Sequence, residues 1–168
     1  MRTFIYPAKI QQDDEGFFLV TFRDIPFAVT DGKTLEEALE NAADCLCEAL
    51  ASCIADNEEI PLASEPGTDE HLIAPTALIA AKAALYTVVT AQGLSKTALA
   101  GILGVSETVG RRLLDPRYQT KLIKIDQALS CNSGVERCLG SDQSSRSNHV
   151  FVSSRFTSQG DFFVVGDT

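Results

Sequence analysis

The sequence predicts an α+β protein, with a small antiparallel sheet and one main helix in the N-terminal part and an all-helical C-terminal domain. Three observations predict this fold. Two runs of alternating apolar and polar residues open the chain, a long amphipathic segment follows, and short helical segments separated by glycines occupy the second half. The 168 residues, 45% of them hydrophobic and 22% charged, suit one ordinary domain or two small ones.

The first runs predict a β-hairpin. Residues 3–10 and 17–23 both alternate between apolar and polar side chains, and a turn-rich acidic loop joins them. Because Pro7 has no backbone N–H, we expect its strand at an edge of the sheet or beside a bulge. A short third strand is predicted over residues 27–30, ended by a turn at Asp31–Gly32.

Residues 34–57 predict an amphipathic helix. Thr34 followed by Glu37 forms a capping box, in which each side chain satisfies a free backbone N–H of the first turn. The predicted apolar face consists of Leu35, Leu39, Ala42, Leu46, Ala49, Leu50 and Cys53. Four acids recur every four residues and form what we call the acidic stripe: Glu36, Glu40, Asp44 and Glu48. Such a stripe is either a solvated face or a binding surface for a basic partner.

The chain between residues 57 and 75 carries the domain boundary. It holds three prolines and a glycine, and residues 58–64 are expected to add a short final strand. We predict a first domain over residues 1–64, a linker over 65–75, a helical domain over 76–130 and a tail over 131–168. The tail is rich in Ser and Gly, which is typical of a disordered or weakly ordered segment, and its isolated apolar pieces are candidates for short strands.

Four helices are predicted in the second domain, over residues 76–93, 96–103, 107–115 and 119–130. Ser95 and Ser106 are expected as N-caps, and Gly104 ends the second of these helices. The inward residues of the last helix are expected to be Leu122, Ile125, Ala128 and Leu129.

The middle two of these helices have the residue pattern of a helix-turn-helix. Ala100 is small where the helices cross, and Gly104 tolerates the positive φ of the turn. The pair is expected to be held together by Leu99, Leu103, Val105 and Leu113. Gly110 stands where a branched apolar residue is usual, and we expect it to leave that packing unfilled.

The second helix of the pair is predicted to enter the major groove of DNA. The expected DNA contacts are Lys96, Ser106, Glu107, Thr108, Arg111, Arg112, Arg117 and Lys121, with Lys124 as a further backbone contact. The alternative is a small helical bundle with incidental arginines.

Formal charge differs in sign between the two halves. Residues 1–74 carry 4 Lys/Arg and 16 Asp/Glu, a formal charge of −12, whereas residues 75–130 carry 7 and 3, a charge of +4. Such asymmetry indicates different partners for the two halves.

Neither a metal, a cofactor nor a catalytic set is expected. The five cysteines are odd in number and lack the C-x-x-C spacing of a zinc site, so free thiols that fill helix faces are expected. The chain shows no signal-peptide pattern and no apolar run long enough to span a bilayer, which predicts a cytoplasmic protein without membrane contact.

Two stretches resemble one family. "YPAKIQQDDEGFFLVTFRDIPFAVTDGKTLEEALENAADCL" resembles the N-terminal domain of HicB-type antitoxins of HicA/HicB type II toxin–antitoxin systems. "SKTALAGILGVSETVGRRLLDPRYQTKLIKIDQAL" resembles the C-terminal helix-turn-helix of that family, so the resemblance covers residues 3–130. Residues 131–168 diverge from the family, which usually ends in a short basic–apolar strand.

The resemblance implies a partial RNase H-like N-terminal domain that has lost nuclease function. It implies binding to a small basic HicA-type toxin, an mRNA-cleaving ribonuclease. The helix-turn-helix domain is expected to form a dimer or tetramer and to repress its own operon by binding operator DNA. The acidic stripe is the expected toxin contact, with the loop around Asp24 and Phe27 or the sheet edge as alternative surfaces.

Two other functions compete with this reading. One is a stand-alone helix-turn-helix repressor with a ligand-sensing N-terminal domain, but nothing in residues 1–74 marks a ligand pocket. An RNase H-like nuclease needs carboxylates that converge on metal ions. Residues 3–10 contain no acid, and Asp13, Asp14 and Glu15 are adjacent in a loop tip. The sequence therefore predicts a protein that is not an enzyme.

Overall fold

The computed structural model describes residues 3–138, 154–156 and 162–164, with side chains described as far as Ser130. The chain divides into two compact units. The N-terminal unit comprises residues 3–80 and the C-terminal unit begins at Ala81. The predicted α+β fold class is confirmed, with a four-stranded antiparallel sheet and several helices.

The sheet of the N-terminal unit contains β1 (Tyr6–Gln12), β2 (Phe18–Phe22), β3 (Val29–Gly32) and β4 (Glu70–Ile73). Its strand order is β3-β2-β1-β4, and each neighbouring pair is antiparallel. The hairpin of β1 and β2 is as predicted. The third strand begins two positions later than predicted and includes the expected turn residues Asp31 and Gly32.

The predicted edge position of β1 is wrong, because β4 pairs with its other side. β4 lies within the predicted linker, whereas residues 58–64 form no strand. Four residues between turns carry too little periodicity to be recognised, and they become a strand only by pairing with β1. Pro7 pairs with Leu72 of β4. It directly precedes Ala8, the residue at which the pairing of β1 with β2 begins.

Helix α1 (Leu35–Asp56) covers one face of this sheet. Half of its capping box is confirmed, since the Thr34 hydroxyl accepts from the Glu37 amide at 3.2 Å. The Glu37 carboxylate accepts from the amide of Lys33 at 2.9 Å, one residue before the N-cap, which corrects the other half. The first turn buries Ala38, whereas Leu35 is exposed and Leu39 half-buried, which corrects the predicted apolar face. The reason is close packing, because a Cβ on Gly32 would overlap the backbone at Ala38.

The C-terminal unit is helical. Its elements are α2 (Ala77–Ala91), within which the division between the units falls, α3 (Lys96–Ile102), α4 (Glu107–Leu114) and α5 (Leu122–Cys138). The buried core includes Leu85, Leu99, Leu113, Ile125 and Leu129. Leu122 and Val105, both expected in the core, are exposed instead. Each lies at an element boundary, where helical spacing no longer fixes the direction of the side chain.

The predicted tail contains regular structure where it is described. Helix α5 continues past Ser130 to Cys138, since extending an existing helix costs far less than nucleating one. β5 (Ser154–Phe156) and β6 (Phe162–Val164) form an antiparallel pair. For residues 139–153, 157–161 and 165–168 the expectation of disorder lies outside the described residues.

Within the described chain, no single helix is long and apolar enough to cross a bilayer. Only α2 and α3 together reach that length and composition, and they are bent by 101° at their break.

Candidate functional site

The turn between α3 and α4 has the geometry of a helix-turn-helix. Ser95 caps α3 by accepting from the Ala98 amide at 3.0 Å, and Gly104 takes the predicted positive φ of 62°. Ala100 is buried where the helices meet, as predicted. The expectation that Gly110 leaves packing unfilled is wrong. A Cβ on Gly110 would lie 2.8 Å from the Ala100 Cβ, so the helices touch there and have no room for a side chain.

The outer face of α4 carries the predicted DNA contacts. Ser106, Glu107, Thr108, Arg111 and Arg112 are all exposed. Ser106 is the N-cap residue, but its side chain makes no capping hydrogen bond, which corrects that expectation. Arg111 donates to the Glu107 carboxylate at 2.6 Å across one helical turn. The helix thus presents a paired acid and base beside further polar groups.

The remaining predicted DNA contacts lie on neighbouring segments and are also exposed. Lys96 opens α3, Arg117 lies between α4 and α5, Lys121 directly precedes α5, and Lys124 is on its first turn. The Arg117 amide donates to the Asp115 carboxylate at 3.0 Å, which shapes this loop.

A second cationic group, Arg112, is held against an aromatic ring. Its guanidinium carbon lies 4.8 Å from the centre of the Tyr118 ring, within the range of a cation–π contact. Beside this pair, a cleft of about 280 Å³ lies between α4 and the start of α5.

Lys82 of α2 has a structural role that the sequence did not reveal. Its side chain is 0% exposed, and its ammonium group donates to the carbonyl oxygens of Asp115, Tyr118 (2.7 Å) and Arg112 (3.4 Å). It therefore satisfies carbonyls at the C-terminal end of α4, where positive charge is favoured. Burial lowers the pKa of Lys82, and the nearby Asp115 carboxylate partly opposes that shift. The one available signal was a single lysine in an Ala-rich apolar helix.

In the N-terminal unit, the acidic stripe lies open along α1. Glu36, Glu40, Asp44 and Glu48 are exposed, and none of the four forms an ion pair with another described residue. Such spacing brings like charges together on one side of a helix. The stripe therefore presents uncompensated negative charge to solvent.

The two loop residues predicted as alternative toxin contacts are placed differently from one another. Phe27 is 60% exposed and available for contact. The Asp24 side chain is only 12% exposed, and its carboxylate accepts from the Ser64 amide and hydroxyl, both at 2.9 Å. Arg23 donates to Ser64 and the Glu65 carbonyl and pairs with Glu70 at 3.3 Å. Asp24 therefore fastens the chain between α1 and β4, a role that its position in a loop did not indicate.

The thiols are structural within the described residues. Cys45, Cys47 and Cys53 are free, and burial raises the pKa of Cys45 and of Cys53. A raised pKa disfavours the reactive thiolate at neutral pH. In the part of the chain that the structure describes, no group of three His, Cys, Asp or Glu residues is arranged to hold a metal ion.

Known proteins resemble this chain over most of its length. Residues 5–84 match the model of the HicB-like antitoxin family of bacterial toxin–antitoxin systems. The chain is 35% identical over 125 residues to antitoxin HicB 1 of Photorhabdus laumondii, covering 74% of this chain and 79% of that protein. It is 32% identical over 123 residues to antitoxin HicB of Escherichia coli K12, covering 73% of this chain and 89% of that one.

A third relative, antitoxin HicB of Pseudomonas fluorescens, is 34% identical over 128 residues, which cover 75% of this chain and 86% of that protein. These relatives are named as antitoxins, in agreement with the expectation of a protein that is not an enzyme. The chain belongs to the HicB family of antitoxins.

Proposed function

We propose that this antitoxin neutralises a HicA-type mRNA-cleaving toxin with its N-terminal unit and represses its own operon by binding operator DNA with its C-terminal unit. The observation that carries the proposal is the opposite charge of two exposed surfaces, the acidic stripe on α1 and the cationic face of α4. The proposal includes a homo-oligomer, either dimer or tetramer, and a cytoplasmic location, where both mRNA and operator are found.

Electrostatic complementarity supports the toxin half of the proposal. A protein that binds RNA carries positive charge that meets the phosphates of RNA. An unpaired acidic surface attracts that same positive charge. Such attraction speeds association and rejects acidic partners. Phe27, exposed on the same unit, supplies an apolar group for the centre of a contact.

The DNA half of the proposal depends on the rigidity of α4. Direct contact between Gly110 and α3, together with Lys82 at its C-terminal end, fixes the helix that presents Arg111 and Arg112. Arginine reads guanine through two parallel hydrogen bonds or holds a phosphate. Such a helix enters the major groove with its N-terminal residues leading, and Arg111 lies one turn further along the same helix.

Charge reversal tests the toxin contact. The variant E40K/D44K/E48K of the full chain is expected to bind the basic protein encoded beside it at least tenfold more weakly and to leave its RNA cleavage uninhibited. The matched control is D14K/E15K/E59K, which reverses three exposed acids elsewhere in the unit. Equal affinity of the two variants for the toxin contradicts the assignment of the stripe.

Loss of arginine tests the DNA contact. The variant R111A/R112A is expected to lose binding to DNA from upstream of its own gene while neutralising the toxin normally. The control K9A/K33A removes two exposed cations from the N-terminal unit and is expected to bind DNA as the unaltered chain does. Unimpaired operator binding by R111A/R112A, with the fold intact by circular dichroism, refutes the assignment.

A further inference from the structure

We propose that the cleft between α4 and α5 receives a phosphate group of the DNA backbone. In this arrangement Arg112 holds the phosphate, whereas its neighbour Arg111 faces the bases. This inference rests on the proposed DNA binding. It divides the DNA contacts of α4 into contacts with the phosphate backbone and contacts with the bases.

The cleft has the chemistry of an anion site. Its volume of about 280 Å³ admits a tetrahedral group together with water molecules of about 30 Å³ each. Three cations line it, Arg112, Lys121 and Lys124, and the polar side chains of Gln119 and Thr120 join them. Among the described residues that line the cleft, none is acidic. Phosphate therefore meets attraction from several directions there and no lining carboxylate.

The wall of the cleft is ordered before any ligand arrives. The Tyr118 ring supports the Arg112 guanidinium at 4.8 Å. The carbonyls of both residues accept hydrogen bonds from Lys82, and Thr120 also donates to the Arg112 carbonyl at 3.2 Å. A side chain held in place in this way loses less conformational freedom on binding. The same buried lysine thus orders the ring and the cation together.

Arg111 has a different environment. Successive residues of a helix point roughly 100° apart, so Arg111 and Arg112 lie on different flanks of α4. Arg111 is 67% exposed and pairs with the Glu107 carboxylate at 2.6 Å. A carboxylate so close repels phosphate, but it orients the guanidinium and accepts from cytosine in the major groove. The pair therefore suits base edges and the cleft suits the backbone.

The test compares R111A with R112A in the full chain, using fluorescence anisotropy with operator DNA and with a scrambled duplex between 50 and 300 mM salt. R112A is expected to weaken binding to both duplexes and to reduce the slope of log affinity against log salt by about 1. R111A is expected to lower the preference for operator over scrambled DNA roughly tenfold or more, with the slope nearly unchanged. R112K is expected to restore most of the slope.

The inference is overturned if R112A loses the preference for operator DNA while its slope of log affinity against log salt stays unchanged. If the unaltered chain does not bind operator DNA, the proposed repressor function is refuted. That result differs from a failure of the inference, in which the unaltered chain binds DNA but the two arginine variants do not behave as expected. Inorganic phosphate, added at ionic strength held constant with chloride, is expected to compete with DNA for the unaltered chain and not for R112A. If calorimetry detects phosphate binding but phosphate does not weaken DNA binding, the cleft is a site for a free anion and the backbone contact is refuted.

Discussion

The N-terminal unit leaves the carboxylates of its acidic stripe in solvent, whereas the C-terminal unit encloses the ammonium group of Lys82 among backbone carbonyls. The two arrangements serve different ends. Exposed charge gains little from the protein itself and is available to a partner. A buried charge must be fully hydrogen-bonded, and it fixes whatever supplies its partners. In this molecule that is the end of α4.

The two units also differ in how a glycine brings elements together. Gly32 allows β3 to lie against the backbone of α1, and Gly110 allows α4 to touch Ala100 of α3. The first contact positions the helix that carries the acidic stripe, while the second sets the angle of the proposed reading helix. Changes in either unit are therefore expected to affect one function and spare the other.

The largest effect is expected from Lys82→Met. Methionine fills similar volume but leaves buried carbonyls without a donor, at a cost of about 3 kcal/mol of unfolding free energy for the C-terminal unit. DNA binding is expected to fall sharply while toxin neutralisation persists. Chemical denaturation with separate assays of both functions measures this. Loss of both functions together would contradict the expectation that a change in one unit spares the function of the other.

Gly110→Val is the next largest. The added Cβ would lie 2.8 Å from the Ala100 Cβ and 3.2 Å from the Lys96 carbonyl oxygen, so α3 and α4 must separate. Overpacking of this kind costs about 2 kcal/mol, and weaker operator binding is expected with it. Gly101→Ala is the control, because a Cβ there meets open space and helix propensity improves. A stable Gly110→Val variant with full DNA affinity speaks against the close crossing.

Asp24→Ala tests the corresponding fastening of the N-terminal unit. Loss of the two hydrogen bonds to Ser64 is expected to lower the unfolding free energy of that unit by about 1–2 kcal/mol, without changing DNA affinity. Asp14→Ala, at an exposed loop position, is the control. Thermal unfolding followed by circular dichroism gives the comparison. If Asp24→Ala is as stable as Asp14→Ala but binds toxin more weakly, Asp24 is a toxin contact after all.

The smallest effect is a pH dependence. Burial lowers the pKa of Lys82 below its ordinary value of 10.5, so the unfolded chain holds more protons than the folded chain in the interval between the two values. The stability that Lys82 contributes therefore rises with pH through that interval and levels off above 10.5.

The difference in unfolding free energy between the unaltered chain and Lys82→Met, measured by denaturation from pH 8 to 10.5, is expected to grow with pH. Cys45 and Cys53 titrate in both variants and cancel in this difference. A difference that shrinks with rising pH would give Lys82 a raised pKa and contradict the burial argument.

Local sequence determined most of the elements and part of the site. The N-caps at Thr34 and Ser95 and the positive φ of Gly104 depend on a few neighbouring residues, and each is found as predicted. Helical spacing likewise placed the acidic stripe on the surface, together with Arg111 and Arg112. The difference in formal charge between the two halves follows from the amino-acid composition alone.

Only the tertiary structure decided what depends on distant partners. β4 is a strand because β1 pairs with it, which moves β1 from the expected edge to the interior of the sheet. Asp24 turns inward because Ser64 meets it, and the ammonium group of Lys82 is satisfied by carbonyls 30 or more positions away. Gly110 fits because Ala100 stands against it. Periodicity and capping act over one or two helical turns, whereas these contacts exist only once the chain has brought remote segments together.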